Sequence, residues 1–131
     1  VTDGIGTFFF CYFNYFFIKY GEFTYLQKRE DDDIWKNLYE FPLIETDREM
    51  DLTELSARVE FQSLFGNLTD FEILKVTPPL KHVLSHRIIF ARFYRIRIHS
   101  ENERISSFLK LRTDELNRYA VSRLTERYLE K

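Results

Sequence analysis

Two runs, 12–19 and 22–28, are dense in aromatic and β-branched residues and flank Tyr20-Gly21, a pattern that predicts a β-hairpin whose strands form the core of a sheet. The period then changes. Leu52, Leu55 and Val59 recur at helical spacing behind Asp51-Leu52-Thr53-Glu54, which has the spacing of a capping box, and Gly66 follows Phe65 as a stop. A helix is therefore predicted over about 52–65. Residues 71–76, 81–85, 88–99 and 105–111 read as further strands, with Ser100-Glu101-Asn102-Glu103 as a polar turn. Thr113-Asp114 can cap a C-terminal helix, since Leu116, Ala120, Leu124 and Tyr128 recur every four residues; Ala120-Val121 is the alternative point for a break before a shorter helix. Strands, helix, strands, helix make the fold class α+β, a mixed sheet packed with two helices.

Composition narrows this to one folded unit. The 131 residues are 44% apolar and 31% charged, which excludes disordered, collagenous and low-complexity chains. No internal repeat is present, and Gly and Pro are too few to mark a linker. The longest aromatic run, 8–18, is interrupted by Asn14 and stopped by Lys19, short of the ~20 apolar residues that span a bilayer, so no membrane partner is expected. The chain opens Val1-Thr2-Asp3 without an initiator methionine and reads as a fragment in which 1–7 can be foreign. Residues 1–11 are expected to be a poorly defined leader or linker remnant, and 12–131 a single domain. A single cysteine, Cys11, cannot by itself make a disulfide, a four-cysteine zinc site or an iron–sulfur cluster.

Charge is unevenly placed although the net is only −2. The segment 81–99 holds Lys81, Arg87, Arg92, Arg95 and Arg97, all three histidines and no acid, whereas Glu30-Asp31-Asp32-Asp33 is the densest acidic run and reads as a solvated loop. A basic strand in an acidic protein invites a polyanion; the plainer alternative is a sheet edge protected by positive charge. His82 and His86 have a spacing that suits zinc on one helical face, but this stretch reads as strand–turn–strand and no thiolate or carboxylate completes a site, so no metal is expected. Ser85 beside His86 lacks an acid to orient the imidazole, which argues against an activated nucleophile.

Tyr25-Leu26-Gln27-Lys28-Arg29 followed by Ile34-Trp35-Lys36-Asn37-Leu38-Tyr39-Glu40-Phe41-Pro42 resembles the strand and loop of a Nudix-type fold. The hydrolase box of that family is broken here. Glu40, Arg48 and Glu49 keep its spacing, but the glycine position is Ile34 and the paired glutamates are Leu52 and Thr53, too little negative charge to hold Mg²⁺ against a pyrophosphate. Glu45, Asp47 and Glu49 are the dense supply of carboxylates from which a divergent hydrolase would have to draw.

Cys11-Tyr12-Phe13-Asn14-Tyr15, the 35–42 segment and Leu80-Lys81-His82-Val83-Leu84-Ser85-His86 together resemble the C-terminal domain of A/G-specific adenine glycosylases, the MutY family, from about Tyr12 to the end. The resemblance implies a Nudix-like α+β domain without the hydrolase box. It implies a non-catalytic domain that recognises 8-oxoguanine opposite adenine in double-stranded DNA during base excision repair, inside the cell, in the cytoplasm at the bacterial nucleoid. The family's Phe-Ser-His probe maps onto Leu84, Ser85 and His86, with Leu84 departing from Phe. Lys81, Arg87, Arg95 and Arg97 would hold DNA phosphates, and along the strand from Ile88, Arg95 and Arg97 share a face opposite Arg92. The family's catalytic acid and 4Fe-4S cluster belong to an N-terminal glycosylase domain that would be this domain's partner. This domain itself would carry no catalytic residue and no cofactor. The alternative is a catalytically inactive Nudix-like protein-interaction module.

Overall fold

The computed structural model describes residues 9–130. Of the expected leader, 1–8 lie outside the described residues, while Phe9–Cys11 begin the first strand. Strand β1 (Phe9–Lys19) runs parallel to β7 (Arg87–Ile98), in register from Phe9 opposite Arg87 to Lys19 opposite Arg97. β4 (Leu43–Thr46) flanks β1, while β5 (Phe71–Val76) and β6 (Leu80–Val83) both pair with the far side of β7. A second sheet has the order β3 (Tyr39–Glu40), β2 (Phe23–Lys28), β8 (Leu109–Arg112).

β1 is buried continuously from Phe13 to Ile18 because both of its faces are covered, the usual condition of a strand in a parallel pair. Alternate side chains feed two cores. Phe16 and Ile18, with Tyr94, Ile96 and Ile98 of β7, pack under α1 (Leu52–Ser56), α2 (Val59–Phe65) and α3 (Glu103–Ser106). Phe13, Tyr15 and Phe17, with Ile89, Ala91 and Phe93, pack against Leu26, Trp35, Leu111 and Leu124 of α4 (Arg123–Leu129).

Several expected elements differ. The 12–28 hairpin turns at Gly21 (φ 58°), where Tyr20 bridges Phe23, but its arms then diverge into separate sheets, so β2 is not part of the main one. The helix expected over 52–65 breaks at Ala57-Arg58 into α1 and α2. Its capping box is present: the Asp51 carboxylate accepts from the Glu54 N–H at 2.8 Å, and the Glu54 carboxylate accepts from the Asp51 N–H at 3.3 Å. Asp51→Ala should therefore lower stability by about 1 kcal/mol in a urea titration, whereas an unchanged midpoint would mean that α1 is held by Leu55 burial alone.

The strand expected over 105–111 starts late, because Asn102 accepts the Ile105 N–H at 2.8 Å and caps α3; strand pairing begins only at Leu109. The C-terminal segment takes the broken form. A 3-10 helix covers Thr113–Arg118, Val121 bridges Tyr39, and Ser122 caps α4. Among the described residues no helix is long and apolar enough to cross a membrane.

Candidate nucleic-acid interface

β6 and β7 form a hairpin whose tip is Leu84-Ser85-His86. The Leu84 N–H donates to the Arg87 carbonyl at 2.8 Å and the Phe9 N–H donates to the His86 carbonyl at 3.0 Å, which ties the tip to β1. Ser85 and His86 are exposed, and among the described residues neither side chain has a hydrogen-bond partner. Leu84 is half-buried against the second core, so the exposed apolar surface beside the tip comes from Val83 and Phe9, each 59% exposed.

The cations along this hairpin are less available than their sequence spacing implies. Arg87 reaches Asp33 at 3.4 Å and Glu45 at 3.8 Å, donates to Cys11 Sγ at 3.4 Å, and lies over the Phe13 ring. Arg97 pairs with Glu72 at 3.7 Å and Arg92 with Glu49 at 2.9 Å. Arg95 lies over the Phe17 ring, and Lys81 is exposed; among the described residues neither is in an ion pair. Arg95 stands on the Phe17 side of β7, whereas Arg92 opens with Asn14 onto the other face, as alternation along a strand requires. The acids that neutralise this segment come from other elements, so a count along the sequence does not see them.

His82 and His86 are not brought together. His82 Nδ1 accepts from Arg127 at 2.9 Å and its ring lies 5.6 Å from Trp35. Burial, then the Arg127 and Arg123 charges, push its pKa down, and the ring helps dock α4 through the Arg127 contact.

The acidic run is only partly a solvated loop. Asp31 and Asp32 are exposed, but Asp33 accepts from the Arg29 Nη2 at 2.8 Å, and Arg29, only 2% exposed, also reaches Glu40 at 3.3 Å. Burial pushes Glu40 up to about 7 despite Arg29. Partial burial pushes Asp33 the same way, but hydrogen bonds from Arg29 and the Trp35 N–H outweigh it and hold that carboxyl below its usual value.

These contacts also account for the remnants of the hydrolase box. Glu40 is held by Arg29, Gln27 and Tyr15, Arg48 by Glu54, and Glu49 by Arg92, so the three do not converge. Among the described residues no three His, Cys, Asp or Glu side chains could hold a metal ion, and the Mg²⁺ used by active members does not fit this set.

A two-sheet α+β fold with helices packed on both faces of its central strands, in which a Trp-to-Phe-Pro segment leads into a capped helix, is the architecture of a Nudix domain. The NUDIX domain family matches residues 14–131, and the chain belongs to it. No curated protein matches the chain. Among solved structures it is similar to the C-terminal domain of mouse MUTYH in complex with human PCNA, with 17% identity, a TM-score of 0.71, and coverage of 92% of this chain and 85% of that one. It is also similar to the E. coli ORF135 protein, with 15% identity, a TM-score of 0.60, and coverage of 94% and 91%. A third likeness is to a Nudix hydrolase from M. smegmatis, RenU, with 8% identity, a TM-score of 0.58, and coverage of 93% and 84%. At these identities the likeness establishes the fold.

Two features of the structure carry no local signal in the sequence. Arg29 stood in a strand motif with nothing to mark it as the hub of an acidic network. Asn14 was visible as the polar interruption of an aromatic run, but which surface it served depends on β1 lying between β4 and β7.

Proposed function

We propose that this domain is the lesion-reading, non-catalytic DNA-binding part of an adenine glycosylase, acting on duplexes with adenine opposite 8-oxoguanine beside an N-terminal catalytic domain. The observation that carries the reading is the Ser85-His86 tip, two exposed hydrogen-bonding side chains held on a hairpin whose backbone is bonded to β1. A hydroxyl and an imidazole can address the N7 and O8 edge that oxidation alters, which phosphate contacts cannot distinguish. Lys81, exposed, is the cation most available to a phosphate; Arg95 is half-buried over the Phe17 ring on the opposite face, and Arg87 and Arg97 would have to exchange a carboxylate for one. Likeness to the MUTYH C-terminal domain supports the reading.

The test is binding of the chain to duplexes with adenine opposite 8-oxoguanine or guanine. Ser85→Ala with His86→Ala should reduce the preference by about 1–3 kcal/mol while the melting temperature holds. A preference unaltered in the folded double variant would place lesion readout elsewhere. A second reading, a protein-interaction module, is supported by the MUTYH neighbour's complex with PCNA. Absence of salt-dependent duplex binding would favour it.

A further inference from the structure

The helix-covered face of the main sheet is bare at the end nearest the hairpin tip. There Tyr12 of β1 and Phe90 of β7 stack, with ring centroids 5.5 Å apart and planes 19° apart, and Phe10, 40% exposed, lies 6.2 Å from Phe90. Beside the stacked pair is a cavity of about 250 Å³, lined by Tyr12, Asn14, Met50, Pro79, Phe90 and Arg92 among others. Asn14 is 5% exposed and spends its amide donors on the Ile44 carbonyl at 3.1 Å and Thr46 Oγ1 at 3.4 Å. Its carboxamide oxygen has no donor among the described residues. Arg92, paired with Glu49, stands at the rim. Lys81 is opposite Phe90 in the strand register, hence on the same face, and is exposed.

An apolar side chain from a partner would fill the space and leave the Asn14 oxygen facing hydrocarbon, which is unfavourable for a buried amide. A flat ring with an N–H on its edge satisfies both the aromatic wall and that oxygen. Phe90 lies four residues beyond His86 on β7, about 13 Å at the rise of a strand, within reach of the same polynucleotide that meets the tip. We propose that this slot seats one unstacked nucleobase of a DNA strand, against the Tyr12–Phe90 rings and the Asn14 oxygen, with Lys81 at its phosphate. The inference deepens the DNA-binding reading and rests on it.

A short single-stranded oligonucleotide carrying one 2-aminopurine, titrated into the chain, tests it. Stacking on the rings should quench the probe. Phe90→Leu should weaken binding about tenfold, the scale of one lost base–aromatic stack. Lys81→Ala, an exposed change that leaves the fold intact, should reduce the salt slope by about 0.7. Ser85→Ala with His86→Ala should leave the quench as it is. Wild-type quench and affinity in folded Phe90→Leu, or an unaltered slope in Lys81→Ala, would overturn the proposal. So would binding of thymidine monophosphate as tight as that of the oligonucleotide, which would make the ligand a free nucleotide. Salt-dependent binding of lesion duplex without any quench refutes the slot alone; binding of neither probe refutes the DNA reading with it.

Discussion

Arg29→Met is expected to lower folding stability by about 3–5 kcal/mol, because it removes the cation from a buried ionic cluster and leaves the carboxylates behind. Arg29 is 2% exposed and meets Asp33 at 2.8 Å, Asp31 at 3.2 Å and Glu40 at 3.3 Å, with its guanidinium over the Phe13 ring. Glu40 has the same 2% exposure and cannot turn to water. By contrast, Lys36 pairs with the almost fully exposed Asp32 at 3.9 Å, and Lys36→Ala should change stability by no more than about 0.5 kcal/mol. Urea midpoints of the two variants make the comparison; equal values would mean that the cluster is solvated in solution. Adding Glu40→Leu to Arg29→Met should recover part of the loss, since replacing both buried partners removes the stranded charge.

The cluster also sets a pH dependence. Glu40, pushed from 4.5 up to about 7, holds its proton more tightly in the folded chain than in the unfolded one. Its contribution is therefore fully present below about 4.5 and is lost as pH rises toward 7. Asp33, held below its usual 3.8, acts in the opposite sense, contributing stability above that value that is lost as pH falls through its folded pKa. Glu40→Gln should flatten the decline in melting temperature across the upper window and leave the acid limb in place. A decline that survives Glu40→Gln must come from another group.

Phe93→Ala is the other large effect, about 3–5 kcal/mol, as for a buried aromatic whose cavity cannot collapse. Phe93 is 2% exposed on β7, stacked on Tyr15 at 4.9 Å and on Tyr128 at 4.3 Å. Neither neighbour can fill the gap readily, since Tyr15 lies in the buried part of β1 and Tyr128 also packs edge-on against Phe17 and Phe41. Because Tyr128 is in the last turn of α4, amide exchange along Arg123–Leu129 should accelerate in this variant more than exchange in β1. Uniform acceleration would mean that α4 does not open separately from the sheet. Val59→Ala, at a side chain 79% exposed, should change stability by no more than about 0.5 kcal/mol.

By itself the chain determined its α+β class, the capped helix start at Asp51, the strand at Phe71–Val76, the tip between β6 and β7 and the loss of the hydrolase carboxylates. Each rests on neighbours a few residues apart, where capping, turn chemistry and side-chain alternation act. Which of the two C-terminal alternatives holds was set by a long-range partner instead: Val121 bridges Tyr39, while Ser122 starts a new helix. Charge followed the same division. Arg87, Arg92 and Arg97 form one basic stretch in sequence, but Asp33, Glu45 and Glu49 reach the first two from elements far away in the chain, and Glu72 reaches Arg97 across the β5–β7 pair. The slot beside Tyr12 and Phe90 belongs wholly to the tertiary structure, because stacking those rings requires two strands more than seventy residues apart to lie in parallel register. Local periodicity records which face a side chain takes; which element covers that face, and where none does, is decided by packing.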